Sequence, residues 1–344
     1  MPDERDEAPG GRGHEGGGGV TRVCVVGCGA VGSLFAAHLA GLEGVEVHAY
    51  DLSREHVEAI NREGLRITGR AEITARVVAT DDSRTLPGCE FGIVATKGYA
   101  TRAAIEATAH CFSDGYVASV QNGVGNEEVI AEHVRHVIVG TTFPAGHLVA
   151  PGVVEMDTTG DTWLGPYGGD LGIMGAVRRL AGLMTASGMP AIALEDARGA
   201  QWTKLVFNAA TNPLGALTGL THGQLCDLPE TRALVSALVS EGVAVASALG
   251  IVLDSDPEAL VDHAAKVAWG HKASMLQDVA ARRRTEIGSL NGGIAELGAR
   301  CGVATPLNEA VVALVLGLEA SYSAGGGPAL PATSARPGGG ERSA

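Results

Sequence analysis

The first half of the chain alternates short apolar runs with stretches of helical periodicity. The apolar runs lie at 23–27, 45–50, 91–96, 116–120 and 136–142, and the helical stretches lie near 30–42, 54–63, 100–110 and 126–134. This alternation is typical of βαβ units, whose parallel strands form a doubly wound sheet covered by helices. It predicts a Rossmann-like α/β domain over residues 21–194, and residues 148–164 are expected to add a hairpin to the same sheet.

From residue 195 onward the strand pattern disappears, and apolar residues recur at spacings of three and four. This period predicts helices at 197–211, 230–250, 256–269, 272–301 and 307–321. They form an all-α domain over residues 195–322, and the cleft between the two domains is the expected place for a ligand. The Gly-rich ends, 1–20 and 323–344, lack periodicity and are predicted to be disordered tails.

The composition is that of a globular, acidic protein. The 344 residues are 45% hydrophobic, and 25 Lys and Arg stand against 39 Asp and Glu, a net charge of −14. This balance argues against a nucleic-acid or anionic-membrane binder, which needs a basic face. The cysteines show neither CxxC pairs nor zinc-ligand spacing, so we predict no metal site and a reducing, cytoplasmic location. The apolar stretch 234–253 contains Glu241 and favours a buried helix over a membrane span.

A glycine-rich turn follows the first predicted strand and opens the first predicted helix. In a GxGxxG motif the first glycine permits the tight turn, the second lets the backbone approach a pyrophosphate, and the third packs helix against strand. The helix N-terminus then faces the phosphates. The motif predicts a dinucleotide site formed by Gly27, Cys28, Gly29, Ala30, Val31 and Gly32.

The acid at the end of the second strand bears on the choice of dinucleotide. An acid such as Asp51 accepts hydrogen bonds from the adenine ribose hydroxyls and repels a 2′-phosphate, which favours NADH over NADPH. Two alternatives stay open. Asp51 is also suited to cap the helix that begins near Ser53, and Arg54 is near enough to bind a 2′-phosphate.

Two later strands also end in polar residues. Lys97 follows the strand at 91–96, and Asn122 follows the strand at 116–120. Ligands of such sheets bind beyond the carboxyl ends of the strands, so Lys97 is expected to point into the cofactor crevice. Asn122 is suited to bind the nicotinamide side of the cofactor or a substrate oxygen, although an Asn before Gly is also a common turn residue.

A helix in the second domain carries the strongest catalytic candidate. Lys204, Asn208 and Asn212 are spaced by four residues and lie along one stripe of this helix, among apolar neighbours. Burial lowers the pKa of a lysine and suits it to proton transfer. The alternative is an ordinary surface lysine whose stem covers apolar neighbours.

Farther along, Ser274 stands at a predicted helix start, where its hydroxyl and free backbone N–H groups suit an anion. The run 282–284 consists of three arginines and is typical of a solvated helix face. The acidic residue Glu286 lies shortly after this arginine run.

In this order, these segments resemble the ketopantoate reductase (2-dehydropantoate 2-reductase) family, from about Val23 to Glu319. The specific parts are SMLQD with RRTEI, at 274–287, and the helix that carries Lys204, Asn208 and Asn212-Pro213. The resemblance implies a Rossmann domain, a helical domain, and reduction of the 2-oxo group of ketopantoate with NADPH in the cleft between them. Its implied partner is a small 2-oxo acid, and it leaves a homodimer open.

The resemblance also implies residue roles. Lys204 is the general acid, Asn208 and Asn212 hold the substrate, and Ser274 binds the substrate carboxylate. Asn122 contacts both nicotinamide and substrate, while Lys97 and Glu286 contact the cofactor.

Three departures from the family pattern affect specificity. His222 and His271 stand where members commonly have Asn, at substrate-contacting positions. After the second strand, where members often have an Arg that holds the 2′-phosphate, this chain has the segment 51–54, which begins with Asp51. An imidazole differs in size from an amide and titrates near neutrality, so we expect a 2-oxo acid that differs from ketopantoate in its distal group. The alternative is that each His replaces the hydrogen bonds of Asn. A non-catalytic nucleotide sensor is the remaining alternative, which a buried Lys204 disfavours.

Overall fold

The computed structural model describes residues 19–322, so the predicted tails lie outside the described residues except for Gly19 and Val20. The strands of the described chain are β1 (Thr21–Val26), β2 (Val45–Tyr50), β3 (Leu65–Gly69), β4 (Ile73–Ala75), β5 (Val78–Thr80), β6 (Phe91–Val94), β7 (Tyr116–Ser119), β8 (His136–Thr142), β9 (Ala145–Ala150), β10 (Val153–Thr158), β11 (Thr162–Pro166) and β12 (Ala191–Ala193).

The main sheet has the order β12-β11-β8-β7-β6-β1-β2-β5. From β5 to β8 all neighbours are parallel, and β1 lies between β2 and β6, with Val23 opposite Val47 and Phe91. This is the doubly wound order, in which the chain reverses direction across the sheet beside β1. The predicted Rossmann-like class is therefore confirmed, and the crevice at the carboxyl ends of β1 and β6 is the place for a dinucleotide.

Helices cover this sheet on both faces. They are α1 (Ala30–Leu39), α2 (Arg54–Glu63), α3 (Thr101–Thr108), α4 (Asn126–Ala131) and α5 (Met174–Ala186). Alternate residues of β1 point to opposite faces: Val23 and Val25 pack in the core under α1 and α5, and Cys24 and Val26 pack under α3 and α4. Burial on both faces explains why β1 is a continuous apolar run.

A second sheet, of order β4-β3-β10-β9, lies beside the first. It corrects the prediction of a hairpin at 148–164 within the main sheet. The hairpin is formed by β9 and β10, which pair antiparallel and join β3, while β11 crosses to the main sheet and pairs antiparallel with β8. Strands β3, β4 and β5 are three to five residues long. Such short strands carry too few alternations to be predicted.

The second half of the chain is helical, as predicted. Its helices are α6 (Arg198–Thr218), α7 (His222–Asp227), α8 (Pro229–Ala248), α9 (Pro257–Val267), α10 (Ser274–Ala280), α11 (Asn291–Cys301) and α12 (Pro306–Ala320). The domain boundary between residues 194 and 195 stays a prediction, and it falls between β12 and α6.

The continuous helix expected over 272–301 is broken between α10 and α11. Arg282 takes a left-handed φ of 53°, and the N–H of Arg283 donates to the carbonyl of Asp278 at 2.8 Å, which ends α10. The run of arginines therefore lies in a loop and not on a helix face. This loop, residues 281–290, is available to approach the Rossmann-like domain.

A polar network completes α6 where Pro213 interrupts its hydrogen bonds. Proline has no N–H to donate to the carbonyl of Ala209, four residues earlier. The side-chain amide of Asn291 donates to that carbonyl at 2.8 Å and to Asn308 at 2.9 Å. Asn308 in turn donates to Glu241 at 2.7 Å. The network holds the helix that carries Lys204 in place.

Helix α8 is long and apolar enough to cross a membrane, by length and composition alone. Its buried residues, among them Val235, Leu238 and Val245, belong to the core of the helical domain. A Cβ at Gly242 would lie 2.9 Å from a methyl group of Val206, so α8 packs directly against α6. That contact agrees with the interpretation of a core helix.

Candidate active site

The glycine-rich turn has the geometry that a pyrophosphate site requires. Gly27 has a φ of +88°, and a Cβ there would lie 2.5 Å from Thr96. A Cβ at Gly32 would lie 2.0 Å from the carbonyl oxygen of Gly27, so helix and strand meet closely. At Gly29 no heavy atom of the described chain lies within 4 Å of that position. The open side at Gly29 fits the close approach of a dinucleotide backbone.

The other residues of the turn support its shape. The Ser33 hydroxyl donates to the Cys28 carbonyl at 2.9 Å, and Cys28 is fully buried. Burial raises the pKa of the Cys28 thiol to about 12, so the thiol is neutral. Ala30 and Val31 form the first turn of α1, and no side chain of the described residues caps this helix. Its first N–H groups are thus available to an anion.

Asp51 lies at the end of β2, half-buried, with one carboxylate oxygen engaged. The backbone N–H of Ser53 donates to that oxygen at 2.8 Å, while Ser53 itself occupies the cap position of α2. Within residues 19–322, the second oxygen has no hydrogen-bond donor. Arg54 is exposed and donates to Glu58 at 2.8 Å, so its guanidinium is directed along the helix.

Lys97 joins the two domains through carboxylates of the helical domain. Its ammonium lies 2.7 Å from Asp278 and 3.5 Å from Glu286, and both carboxylates are buried. Glu286 also accepts the N–H of Gly98 at 3.1 Å. Burial opposes the charge of Lys97, but Glu286 and Asp278 raise its pKa above the usual value. Lys97 and Glu286 therefore lie together after the carboxyl end of β6, where Thr96, the residue before Lys97, packs against Gly27 of the glycine-rich turn.

Lys204 lies on α6 at the floor of the inter-domain cleft. Its ammonium donates to the carbonyl of Thr142 at the end of β8 and lies 5.3 Å from the ring centroid of Phe143. Burial lowers the pKa of Lys204 to about 8, and the negative charge of Glu286 limits that shift. The amine is thus mostly protonated at neutral pH and gives up its proton more readily than a surface lysine.

Residues from both domains line the cleft around Lys204. Asn208, one turn later on α6, donates to the side chain of Asn122 at 3.5 Å. Asn122 comes from the loop after β7, and Asn126 fixes its backbone carbonyl at 3.2 Å. The lining residues are Gln121, Asn122, Gly123 and Thr141 from the first domain and Gln201, Lys204, Leu205 and Asn208 from α6.

The remaining predicted substrate residues lie farther along the helical domain. His222 stacks on the ring of Phe207, with centroids 5.5 Å apart, and His271 lies 5.5 Å from His222. Asn212 is buried one turn after Asn208. Ser274 is exposed at the first position of α10, and no described contact links it to Lys204.

The charge states of the two histidines differ from the expectation that both titrate near neutrality. Burial, with a smaller contribution from His271, lowers the pKa of His222 to about 4. Burial also lowers the pKa of His271, and the negative charge of Asp157 opposes that shift. Both imidazoles are therefore neutral at neutral pH in the chain without ligand. They are suited to stack and to exchange single hydrogen bonds.

Gln201 and Glu127 are among the residues at the site that sequence patterns did not indicate. Gln201 lines the cleft one turn before Lys204, and its side chain donates to the buried carboxyl of Glu127 at 3.0 Å. Extending the Lys204 stripe by one turn toward the N-terminus would have found Gln201. Glu127 looks like an ordinary acid in the first turn of a helix, so no local signal marks it. Within residues 19–322, no group of His, Cys, Asp and Glu is placed to hold a metal ion.

Two family models match the chain. Residues 23–169 match the ketopantoate reductase PanE/ApbA model, and residues 196–319 match the ketopantoate reductase PanE/ApbA C-terminal model. A 2-dehydropantoate 2-reductase of Pyrococcus horikoshii is 33% identical over 308 residues, which cover 89% of this chain and 99% of that protein.

Solved structures agree with these matches. A D-mandelate dehydrogenase in a ternary structure with NADH and anilino(oxo)acetate is 26% identical, with a TM-score of 0.82, and the match covers 88% of this chain and 100% of that one. A PanE/ApbA family ketopantoate reductase of Ralstonia eutropha is 29% identical, with a TM-score of 0.79 and the same coverage. The chain therefore belongs to the ketopantoate reductase family of nicotinamide-dependent oxidoreductases.

Proposed function

We propose that the chain reduces the 2-oxo group of a 2-oxo acid with NAD(P)H, with ketopantoate as the first candidate substrate. The observation that carries this proposal is the position of Lys204, whose ammonium lies in the inter-domain cleft beside Asn122 and Asn208. The 2-dehydropantoate 2-reductases among its relatives support the choice of ketopantoate.

The proposed reaction transfers one hydride and one proton. A bound NAD(P)H would supply the hydride for C2 of the substrate, so that the carbonyl oxygen would gain negative charge. Lys204 then delivers a proton from Nζ to that oxygen, leaving a neutral amine that solvent reprotonates. The ammonium also stabilises the developing charge before the proton moves. The carbonyl of Thr142 orients the ammonium, and Asn122 and Asn208 hold the substrate.

The dinucleotide would lie across the glycine-rich turn, with its adenine ribose at Asp51. The open backbone at Gly29 and the uncapped start of α1 suit the pyrophosphate, and Lys97 with Glu286 would contact the nicotinamide half. The free oxygen of Asp51 suits a ribose hydroxyl and disfavours a 2′-phosphate. We therefore infer that NADH serves at least as well as NADPH, although the family resemblance implies NADPH.

A second candidate substrate is a 2-oxo acid with a planar distal group. The rings of Phe207 and His222 stack, and the ring of His271 is tilted by 44° to that of His222, so the three form an aromatic cluster with neutral imidazoles. Such rings favour offset or tilted packing of a planar group. The D-mandelate dehydrogenase structure, which contains an oxoacetate with an anilino group, supports this candidate. Asn212 and Ser274 would bind the acid end in either case.

The partners and location follow from charge and cysteine chemistry. All six cysteines are free thiols, which supports the proposed cytoplasmic location. The net charge of −14 supports the absence of nucleic-acid or anionic-membrane partners. The homodimer that the resemblance leaves open stays a prediction.

An assay of several substrates with both cofactors tests the proposed function. The chain would be mixed with NADH or NADPH and with ketopantoate, phenylglyoxylate, oxaloacetate, 2-oxoglutarate or branched 2-oxo acids, while nicotinamide absorbance is followed. Turnover of ketopantoate above all others supports the first candidate, and a preference for phenylglyoxylate supports the second. An absence of turnover with all of them contradicts the proposed reductase and favours a nucleotide sensor.

A further inference from the structure

An aromatic ring lies against the amine of Lys204. The ammonium lies over the ring of Phe143, 5.3 Å from its centroid, and it donates a hydrogen bond to the carbonyl of Thr142, the preceding residue. A cation within about 6 Å of a ring centroid is attracted by the negative face of the ring. Two consecutive residues, the last of β8 and the one after it, therefore hold the same amine, one through a carbonyl and one through a ring.

Phe143 is itself held in place on several sides. Its N–H donates to the carbonyl of Asp161 at 3.1 Å, and its carbonyl accepts the hydroxyl of Thr158 at 3.2 Å. The ring of Trp163, on β11, lies 5.6 Å from the Phe143 ring and at 76° to it. A Cβ at Gly160 would lie 2.8 Å from the Cβ of Phe143, so the backbone there packs closely against the ring's stem. The chain from the end of β10 into β11 thus fixes the position of the ring.

The ring offers the ammonium an attraction that leaves its proton in place. Glu286 is the charged group that acts on the Lys204 amine, and the other residues that line the cleft are uncharged. Glu127 lies behind the cleft and bonds to Gln201. A carboxylate in contact with the amine would compete with the substrate for the proton. An aromatic ring attracts the charged amine but has no lone pair that accepts a proton.

We propose that Phe143 is a positioning residue for the proton donor: its ring holds the Lys204 amine in the charged form and, together with the Thr142 carbonyl, directs its remaining N–H groups toward the substrate oxygen. An ammonium has three N–H groups, of which the Thr142 carbonyl accepts one. When one of the others transfers its proton to the oxygen, the N–H electron pair stays on Nζ. This inference rests on the proposed reduction of a 2-oxo acid.

Two roles of Phe143 predict opposite changes in the pKa of Lys204. If the ring only excluded water, perturbing it would admit water, and the pKa of Lys204 would rise toward the ordinary value of a lysine. If the ring attracts the ammonium, a weaker negative face disfavours the charged form, and the pKa falls below its value of about 8. The direction of the shift therefore separates a specific contact from simple burial.

Nuclear magnetic resonance measures that direction without any need for turnover. The chain contains only four lysines, at positions 97, 204, 266 and 272, so protein labelled with ¹³C-lysine gives few side-chain signals. The signal of Lys204 is identified by its loss in Lys204→Ala. Phe143 would be replaced by its monofluoro and trifluoro analogues, which nearly keep the size of the ring and progressively weaken its negative face.

We expect the midpoint of the Lys204 titration to fall by about 0.5 to 1 pH unit in the trifluoro chain, and by less in the monofluoro chain. Lys97, which pairs with Asp278, is the internal control, and its signal should respond to pH in the same way in every chain. A Lys204 midpoint that stays constant or rises along the fluorinated series overturns the inference.

Kinetics at a pH below the Lys204 titration test the positioning. At about pH 6.5 the amine is mostly protonated in every variant, so kcat reports the placement of the proton donor and not its charge. Phe143→Leu keeps an apolar side chain and loses the ring. We expect its kcat to fall about 3- to 30-fold, with KM for the 2-oxo acid within about threefold, because a misplaced donor slows the chemical step. Phe143→Tyr keeps the ring and should recover most of kcat.

The outcomes of the two experiments are distinct. An unchanged kcat in Phe143→Leu overturns the positioning role, and so does an equal loss in Phe143→Leu and Phe143→Tyr, which would leave Phe143 a packing residue only. If Phe143→Leu does not fold, the fluorinated chains decide both the midpoint and kcat. An inactive parent refutes the proposed function instead, and the lysine signals then still decide whether the ring holds the ammonium.

Discussion

Removing the amine of Lys204 is expected to abolish most of the turnover and to leave nucleotide binding almost unchanged. Lys204→Ala deletes the only proton donor that both the cleft geometry and the lowered pKa identify among the described residues. General acids contribute about 10²- to 10⁴-fold to turnover. That range corresponds to about 3 to 5 kcal/mol of activation free energy. Lys97 and Glu286 lie at the cofactor crevice and are untouched, so the dissociation constant of NADH should change little.

The pKa of Lys204 predicts the shape of the pH profile. With a pKa of about 8, about nine-tenths of Lys204 is protonated at pH 7, and the fraction falls about tenfold per pH unit well above 8. The kcat/KM for reduction should therefore decline along a limb centred near pH 8. The limb should be missing from the residual activity of Lys204→Ala, which has no amine to titrate.

Lys204→Arg keeps a positive charge at this position but removes the group that can give up a proton. A guanidinium stabilises a developing alkoxide but does not deprotonate in proteins, so it cannot complete the transfer. We expect Lys204→Arg to retain nucleotide binding and to lose most of the turnover. The assay is kcat for the best 2-oxo acid, with NADH binding measured by nucleotide fluorescence. A Lys204→Ala chain with turnover within about threefold of the parent would remove Lys204 from the mechanism.

Four further outcomes are expected. The kcat/KM with NADH should equal or exceed that with NADPH, and a preference for NADPH of about tenfold or more would mean that Asp51 does not bind the ribose. The double substitution His222→Asn/His271→Asn should change the order in which 2-oxo acids rank by kcat/KM. If ketopantoate ranks first in both the parent and the double variant, the histidines only provide the hydrogen bonds that Asn would provide. Asn291→Ala should lower the free energy of unfolding in urea by about 1 to 3 kcal/mol, because buried polar groups lose their partner; an unchanged midpoint would contradict this. Burial raises the pKa of Glu127 to about 7 in the folded state, so its ionisation above that pH lowers the stability of the parent. The free energy of unfolding of Glu127→Gln should therefore exceed that of the parent above pH 7, by at most about 3 kcal/mol, and equal it below about pH 4.5. Equal free energies of unfolding at pH 8 would contradict a buried, ionised carboxylate.

The periodic parts of the fold could be predicted from the sequence. Strand β2 and helix α2 have the predicted bounds, because long runs of alternation or helical period are strong signals. The second sheet could not be predicted, because β3 and β4 are five and three residues long and β3 joins the sheet by pairing with β10, which is distant in sequence. The break after α10 also escaped prediction, since an Arg at a left-handed position carries none of the signal that a Gly would.

In the candidate site, too, the residues that belong to local sequence patterns could be predicted, and those brought together by tertiary contacts could not. The glycine-rich turn and the Lys204 stripe are local patterns, so their residues could be named and their shared faces predicted. The contact of Lys97 with Asp278 joins residues far apart in sequence, as does that of Gln201 with Glu127. No spacing rule predicts such pairs, because tertiary packing alone brings them together. The neutral state of His222 likewise depends on burial and, to a smaller extent, on His271, which is distant from it in sequence.

Transfer of deuterium tests most directly whether the chain is a 2-oxo acid reductase. The chain would be incubated with nicotinamide dinucleotide that carries deuterium in place of the transferred hydride, together with the 2-oxo acid that it turns over best, in ordinary water. Direct hydride transfer to C2, with the hydroxyl proton supplied by Lys204, predicts a 2-hydroxy acid with a single deuterium bound to C2. A product without deuterium at C2, or no 2-hydroxy acid at all, would contradict the proposed function.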